Sequence, residues 1–328
     1  MHGDDVRDVG EPFAAPDADV ILRSFDNVDF RSYRVVPKLA SPVFETMFAL
    51  PSPPKGSTES DEQKDGLPVV CMVEDKQSLQ LLLSFCHPNA ELGLDTLDDL
   101  ALAVRLTAKF ELSNAKRILR PLLREHLHSD PERVYALAWV MQSRDLVLSA
   151  ALESLSSPLI LPDHADTNIP EFRDISAHAL RQLINFQSRC IHSASRIGDD
   201  FQWLKAEDIP RRARGKSVDS GGLCGTCPNT KVQLKEPSDR LTRVKDWWLL
   251  HVKSLGRLFE EGIDLTEISR IPHGPLKAAV SKGNACDGQD PCRADEIVEV
   301  LIATASLVEA RVKDIIREAA KKLDMPFT

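Results

Sequence analysis

The reading of this chain turns on residues 18–48. They begin Ala18-Asp19-Val20-Ile21-Leu22-Arg23, pass through Asp26-Asn27, and resume at Val28-Asp29-Phe30-Arg31-Ser32-Tyr33. They end on Leu39-Ala40-Ser41-Pro42-Val43-Phe44-Glu45-Thr46-Met47-Phe48. Val20 and Leu22 share one face at strand period. Asp26-Asn27 is a turn pair, and Val28, Phe30 and Tyr33 suit a returning strand, so residues 19–33 read as a hairpin. Ser41 is an N-cap residue with Pro42 at the first helical position. The helix that follows brings Phe44, Met47 and Phe48 to one side.

On either side of this stretch the pattern weakens and then returns. Residues 1–16 are polar and are expected to be a disordered tail. Residues 51–66 carry no large apolar side chain and read as a flexible loop inside a domain. Val69–Val73 is a short apolar strand. Asp75 caps a helix presenting Leu79, Leu82, Leu83 and Cys86, which His87-Pro88-Asn89 ends. Thr96-Leu97-Asp98-Asp99 resembles a capping box, opening a helix to about Phe110. Further helices are predicted over 114–127, from Asp130-Pro131-Glu132, and over 144–155. Residues 156–172, broken by Pro158, Pro162 and Pro170, read as the linker. Beyond it the pattern is helical over 176–197, 239–261 and 294–323. The last of these repeats Ile297, Leu301, Ala305, Val308, Val312, Ile315, Ala319 and Leu323 at helical steps. Residues 205–237 read as irregular.

The 328 residues suggest about two domains. Hydrophobic residues at 42% and charged residues at 28% match ordinary globular proteins and exclude collagen-like, fully disordered and disulfide-scaffold classes. No apolar run approaches the roughly 20 residues that span a bilayer. Met1-His2-Gly3-Asp4-Asp5 has no apolar core, so no secretory leader is read, and the expected compartment is the cytosol or nucleus, where thiols stay reduced. Residues 1–165 hold 16 basic and 26 acidic side chains, net −10; residues 166–328 hold 25 and 24, net +1. Neither half has the basic excess that phosphate neutralisation needs, which disfavours bulk nucleic-acid binding.

Asp19-Val20-Ile21-Leu22, Phe30–Arg34, Leu39–Phe48, Val73-Glu74-Asp75 and Ala108-Lys109-Phe110-Glu111-Leu112, in that order and spacing, resemble the BTB/POZ domain, in particular the short BTB proteins abundant in mushroom-forming fungi. The match covers about a third of the chain. The second half, with Trp247-Trp248 and a Cys-x-x-Cys, looks like the helical extension these proteins carry. The resemblance implies self-association, or recruitment of a partner such as a cullin-type ubiquitin ligase. It also implies a charged groove, for which Asp19 matches and Arg34 or Lys38 supplies the positive charge. Two positions depart from the pattern. Tyr33 stands near the place of a usual His, and Pro37 replaces a usual Leu.

The cysteines carry most of the chemistry. Cys224-Gly225-Thr226-Cys227 and Cys286-Asp287-Gly288-Gln289-Asp290-Pro291-Cys292 are loops whose four thiolates suit a structural zinc site, although the second spacing is wider than usual. Reduced unbound thiols and a disulfide or redox pair are the competing readings. His192 and His251 are alternative ligands. Cys71, Cys86 and Cys190 read as small core residues. Arg211-Arg212-Ala213-Arg214-Gly215-Lys216 is a solvated loop, or else an import signal or anion site. Trp248 fits an apolar seam, with Trp247 at its edge. No phosphate loop, Gly-x-Ser-x-Gly or His-Glu-x-x-His is present.

The expectation is therefore an α+β protein: a BTB/POZ domain over 17–128, a helical pair over 129–160, and an all-α region over 161–328 bearing the cysteine loops. It is expected to work by binding proteins, without catalysis. A nuclear regulator whose cysteine-containing half touches nucleic acid is the alternative.

Overall fold

The computed structural model describes residues 6–50, 62–88, 90–112, 114–161, 168–215, 227–235, 241–264, 281 and 294–327. The fold mixes a small N-terminal sheet with helices that follow it. The chain divides into two compact units: residues 1–147 with 170–175 and 327–328, and residues 148–169 with 176–326.

In the first unit, β1 (Arg7–Asp8), β2 (Val20–Arg23), β3 (Val28–Ser32), β4 (Gln63–Lys64) and β5 (Leu67–Cys71) form one sheet in the order β1-β3-β2-β5-β4. The expected hairpin is β2–β3, with Leu22 opposite Phe30 and Asn27 at φ 59° in its turn. β5 runs parallel to β2, with Leu22 opposite Val70. The helices are α1 (Val35–Ala40), α2 (Pro42–Ala49), α3 (Lys76–Cys86), α4 (Leu97–Lys109), α5 (Ala115–Glu125) and α6 (Pro131–Val140). α7 (Arg144–Glu153) contains the division between the units.

The predicted starts are found as read. Ser41 Oγ accepts from Phe44 N, Asp75 from Ser78 N, and Thr96 and Asp99 make a reciprocal capping box. Val20, Ile21, Leu22, Phe30, Phe44, Leu79 and Leu82 are fully buried at the centre of the core.

Two segments differ from expectation. Residues 6–16 are ordered: β1 pairs in parallel with β3, and Phe13 is buried against Phe30 and His87, each ring centroid 5.7 Å away. One large apolar side chain is enough to anchor a segment whose average composition is polar. Of the expected loop 51–66, residues 51–61 lie outside the described residues, but 62–66 form the first arm and the turn of the β4–β5 hairpin, with Asp65 and Gly66 both at positive φ. Charge holds that arm. Arg23 and Lys64 converge on Asp29, which is fully buried. Burial pushes the Asp29 carboxyl up, but hydrogen bonds from both cations outweigh this and hold it below the usual carboxylate range.

The second unit packs α8 (Ala177–Ser195), α9 (Asp246–Leu258) and α10 (Ala294–Ala320) against one another. Its all-α expectation is corrected by a hairpin, β6 (Asn229–Val232) with β7 (Thr242–Lys245). The helical pattern over 239–261 covers a strand at Thr242–Lys245, because Val244 and Trp248 lie four apart, a step that also fits a strand running directly into a helix. Leu241, assigned to the helical seam, is exposed. The seam of α10 is as predicted, with all eight apolar positions from Ile297 to Leu323 buried. On α8 the expected face is largely buried, at Leu183, Cys190, Ile191 and Ala194. Ile184 is exposed, while Gln187 is fully buried, bonding the Ser154 hydroxyl at 3.0 Å and accepting from Leu159 N at 3.1 Å. α8 and α9 approach closely at Gly256, where an added Cβ would lie 2.7 Å from the Ser195 carbonyl oxygen.

Candidate interaction surface

The three residues assigned to a charged groove gather around α1. Asp19 Oδ1 accepts from the backbone N–H of Arg34 at 2.7 Å, which joins the start of β2 to the start of α1. The Arg34 guanidinium lies 5.9 Å from the Phe48 ring centroid, and its Nε is buried without a hydrogen-bond partner among the described residues. Lys38 stands one turn on and is half-buried. Tyr33, in the place of the usual His, donates its hydroxyl to Asp17. The groove chemistry is thus partly internal: Asp19 caps a helix while the Arg34 side chain leans on an aromatic ring.

α1 itself was not anticipated, because Pro37 argues against a helix. Pro37 sits in the first turn, where its missing N–H leaves no bond unmade. Its ring is buried and its carbonyl accepts from Ser41 N at 3.0 Å. Ser41 then donates its hydroxyl to the Phe110 carbonyl at 2.6 Å and accepts from Phe44 N at 3.1 Å. One serine therefore ties α1, α2 and the end of α4 together. With Pro37 facing inward, Val35 and Leu39, one turn apart on the same side, face outward at 57% and 85% exposure. Leu50, after α2, is 67% exposed. This is an apolar face on an anchored helix. A second apolar pair, Phe25 (79%) and Val73 (76%), stands where Phe25 N bonds the Glu74 carbonyl at 2.8 Å.

Of the zinc candidates, Cys224, Cys286 and Cys292 lie outside the described residues, and Cys227 is buried immediately before β6. No group of three or more His, Cys, Asp or Glu side chains suited to a metal occurs among the described residues. His192 is exposed at the end of α8, and His251 is fully buried in α9. Burial pushes the His251 imidazole down to about 4. Cys86 and Cys190 are held as neutral thiols, pushed up to about 12 by burial. Cys71, expected in the core, is exposed at the end of β5. Trp247, expected at the edge, is buried, and Trp248 donates to Thr304 Oγ1 at 2.8 Å.

Of the basic cluster, Lys216 lies outside the described residues and Arg211 is exposed. Arg212 pairs with Glu296 at 2.7 Å, and Arg214 donates to the carbonyls of Ile209 and Glu207. Among the described residues no helix is long and apolar enough to cross a membrane. No family model matches the chain, and no curated protein matches it.

Proposed function

We propose that this chain is a non-catalytic protein-interaction module of the cytosol or nucleus, built on a BTB/POZ-type domain that self-associates through α1. The observation that carries the reading is the outward apolar face of Val35 and Leu39 on a helix fixed from behind by Pro37 and Ser41. Isolated exposed apolar residues are ordinary. Two side chains one turn apart on a six-residue helix, with Leu39 at 85% exposure, form a ridge that a second copy would cover. Strand order and the Ser41-Pro42 helix start support the BTB/POZ part of the proposal. Recruitment of a cullin-type ligase belongs to the same family expectation. Against the nucleic-acid alternative stand the near-neutral charge of residues 166–328 and the internal engagement of Arg212 and Arg214.

Light scattering of the full chain at tens of micromolar tests the proposal. The expected result is a dimer mass for the wild type and a monomer mass for Leu39→Asp, with circular dichroism unchanged because position 39 is exposed. A monomeric wild type, or a Leu39→Asp variant still dimeric, overturns self-association through α1.

A further inference from the structure

The second unit contains a cleft of about 850 Å³ between the end of α8, the segment after it, and α10. That volume lies in the range of small-molecule sites, roughly 300–1,000 Å³. Trp203 forms part of the wall, its ring oriented by an indole N–H bond to the Ile197 carbonyl at 3.1 Å. Trp139, Trp247 and Trp248 are all at most 8% exposed, so the half-buried Trp203 is the accessible indole of the four.

The charged groups of the cleft differ in what they already hold. Asp200 accepts from Gln202 N at 2.9 Å and Asp208 from Lys205 N at 2.8 Å. Asp314 pairs with Arg317 at 2.6 Å, and Glu318 faces Arg311 at 3.9 Å. Arg196 and Lys235, which also line the cleft, have no carboxylate within ion-pair distance among the described residues. Among the described residues, the carboxylates hold donors while these two cations hold no carboxylate. The four acids outnumber the three Lys and Arg side chains by one, so no field draws anions from a distance. Recognition would therefore come from direct pairing and from stacking on the indole.

We propose that this cleft binds a small planar anion: an aromatic ring against Trp203, with a carboxylate or phosphate group held by Arg196 and Lys235. Arg provides a planar fork for either group, Lys a point charge, and an exposed indole face a stacking surface.

The test is quenching of Trp203 fluorescence in the full chain, titrated with adenosine 5′-monophosphate and with 1-naphthoate. Adenosine serves as the neutral ring and inorganic phosphate as the anion without a ring. Saturable quenching by at least one of the two aromatic anions is expected, at least about tenfold tighter than by adenosine or phosphate. The signal should vanish in Trp203→Phe. Affinity should fall about tenfold in Arg196→Ala combined with Lys235→Ala, and recover in Arg196→Lys. All three positions are at least partly exposed, and thermal melts check that the variants fold. A preference for 1-naphthoate or for adenosine 5′-monophosphate identifies the carboxylate or the phosphate as the natural head group. No saturable quenching by either, equal binding of adenosine, or affinity indifferent to Arg196 and Lys235 overturns the proposal. So does calorimetric binding without a Trp203 signal.

Discussion

At the scale of single residues, the strongest commitments are buried groups with one geometry open to them. Phe44 is fully buried, with ring centroids 5.9 Å from Phe48 and 5.1 Å from Phe110. Phe44→Ala should cost about 3–5 kcal/mol in denaturant unfolding, by transfer and cavity terms together. Ser41→Ala should cost about 1–3 kcal/mol, because it removes the cap of α2 and leaves the buried Phe110 carbonyl without its donor. His251 gives a pH signature. Its imidazole is pushed down from 6.5 to about 4, so the native state favours the neutral ring. Above pH 6.5 both folded and unfolded chains hold it neutral, and it adds no pH dependence. As pH falls from about 6.5 toward 4, the unfolded chain takes up the proton first and stability is lost, by up to about 3 kcal/mol. His251→Phe should flatten that slope in thermal melts between pH 7 and 4. An equally steep slope in the variant would show that the loss comes from other groups.

At the scale of elements, helix starts were the most legible feature and segment order the least. Ser41-Pro42, Asp75 and Thr96-Asp99 announce α2, α3 and α4 because capping chemistry is local: side chain and N–H partner lie within three residues. β1 and β4 have two residues each and carry no periodicity, so only their partners in the sheet define them. α1 is hidden by Pro37, and β7 by running directly into α9. The candidate surface was half readable. Asp19, Arg34 and Lys38 came from resemblance, but the exposure of Val35 and Leu39 follows from Pro37 turning inward, which the sequence pattern does not reveal. The ordering of residues 6–16 yields a prediction opposite to that for a loose tail. Phe13→Ala should cost about 3–5 kcal/mol, and deletion of residues 1–16 should lower the melting temperature. Unchanged melting of the deletion would mean that β1 and Phe13 contribute nothing to the sheet.

At the scale of the whole molecule, the question is whether distant cysteines can meet. Cys227 is tied to the start of α9, since Pro228 accepts from Asp246 N at 3.0 Å. Cys292 lies two residues before α10. For four sulfurs to share a metal, the loops preceding the two helices would have to arrive at the same end. Among the described residues, contacts at the starts of the two helices converge. Arg212 pairs with Glu296, in the first turn of α10, at 2.7 Å, and two residues on Arg214 bridges Val244, in the strand that runs directly into α9. The starts of α9 and α10 thus share a neighbour, the arrangement that a site between the two preceding loops requires. Metal analysis of the purified full chain should find about one zinc per chain, lost in Cys292→Ser and in Cys224→Ser combined with Cys227→Ser. A wild type without zinc, or a zinc content indifferent to Cys292, would leave the four cysteines as ordinary loop thiols.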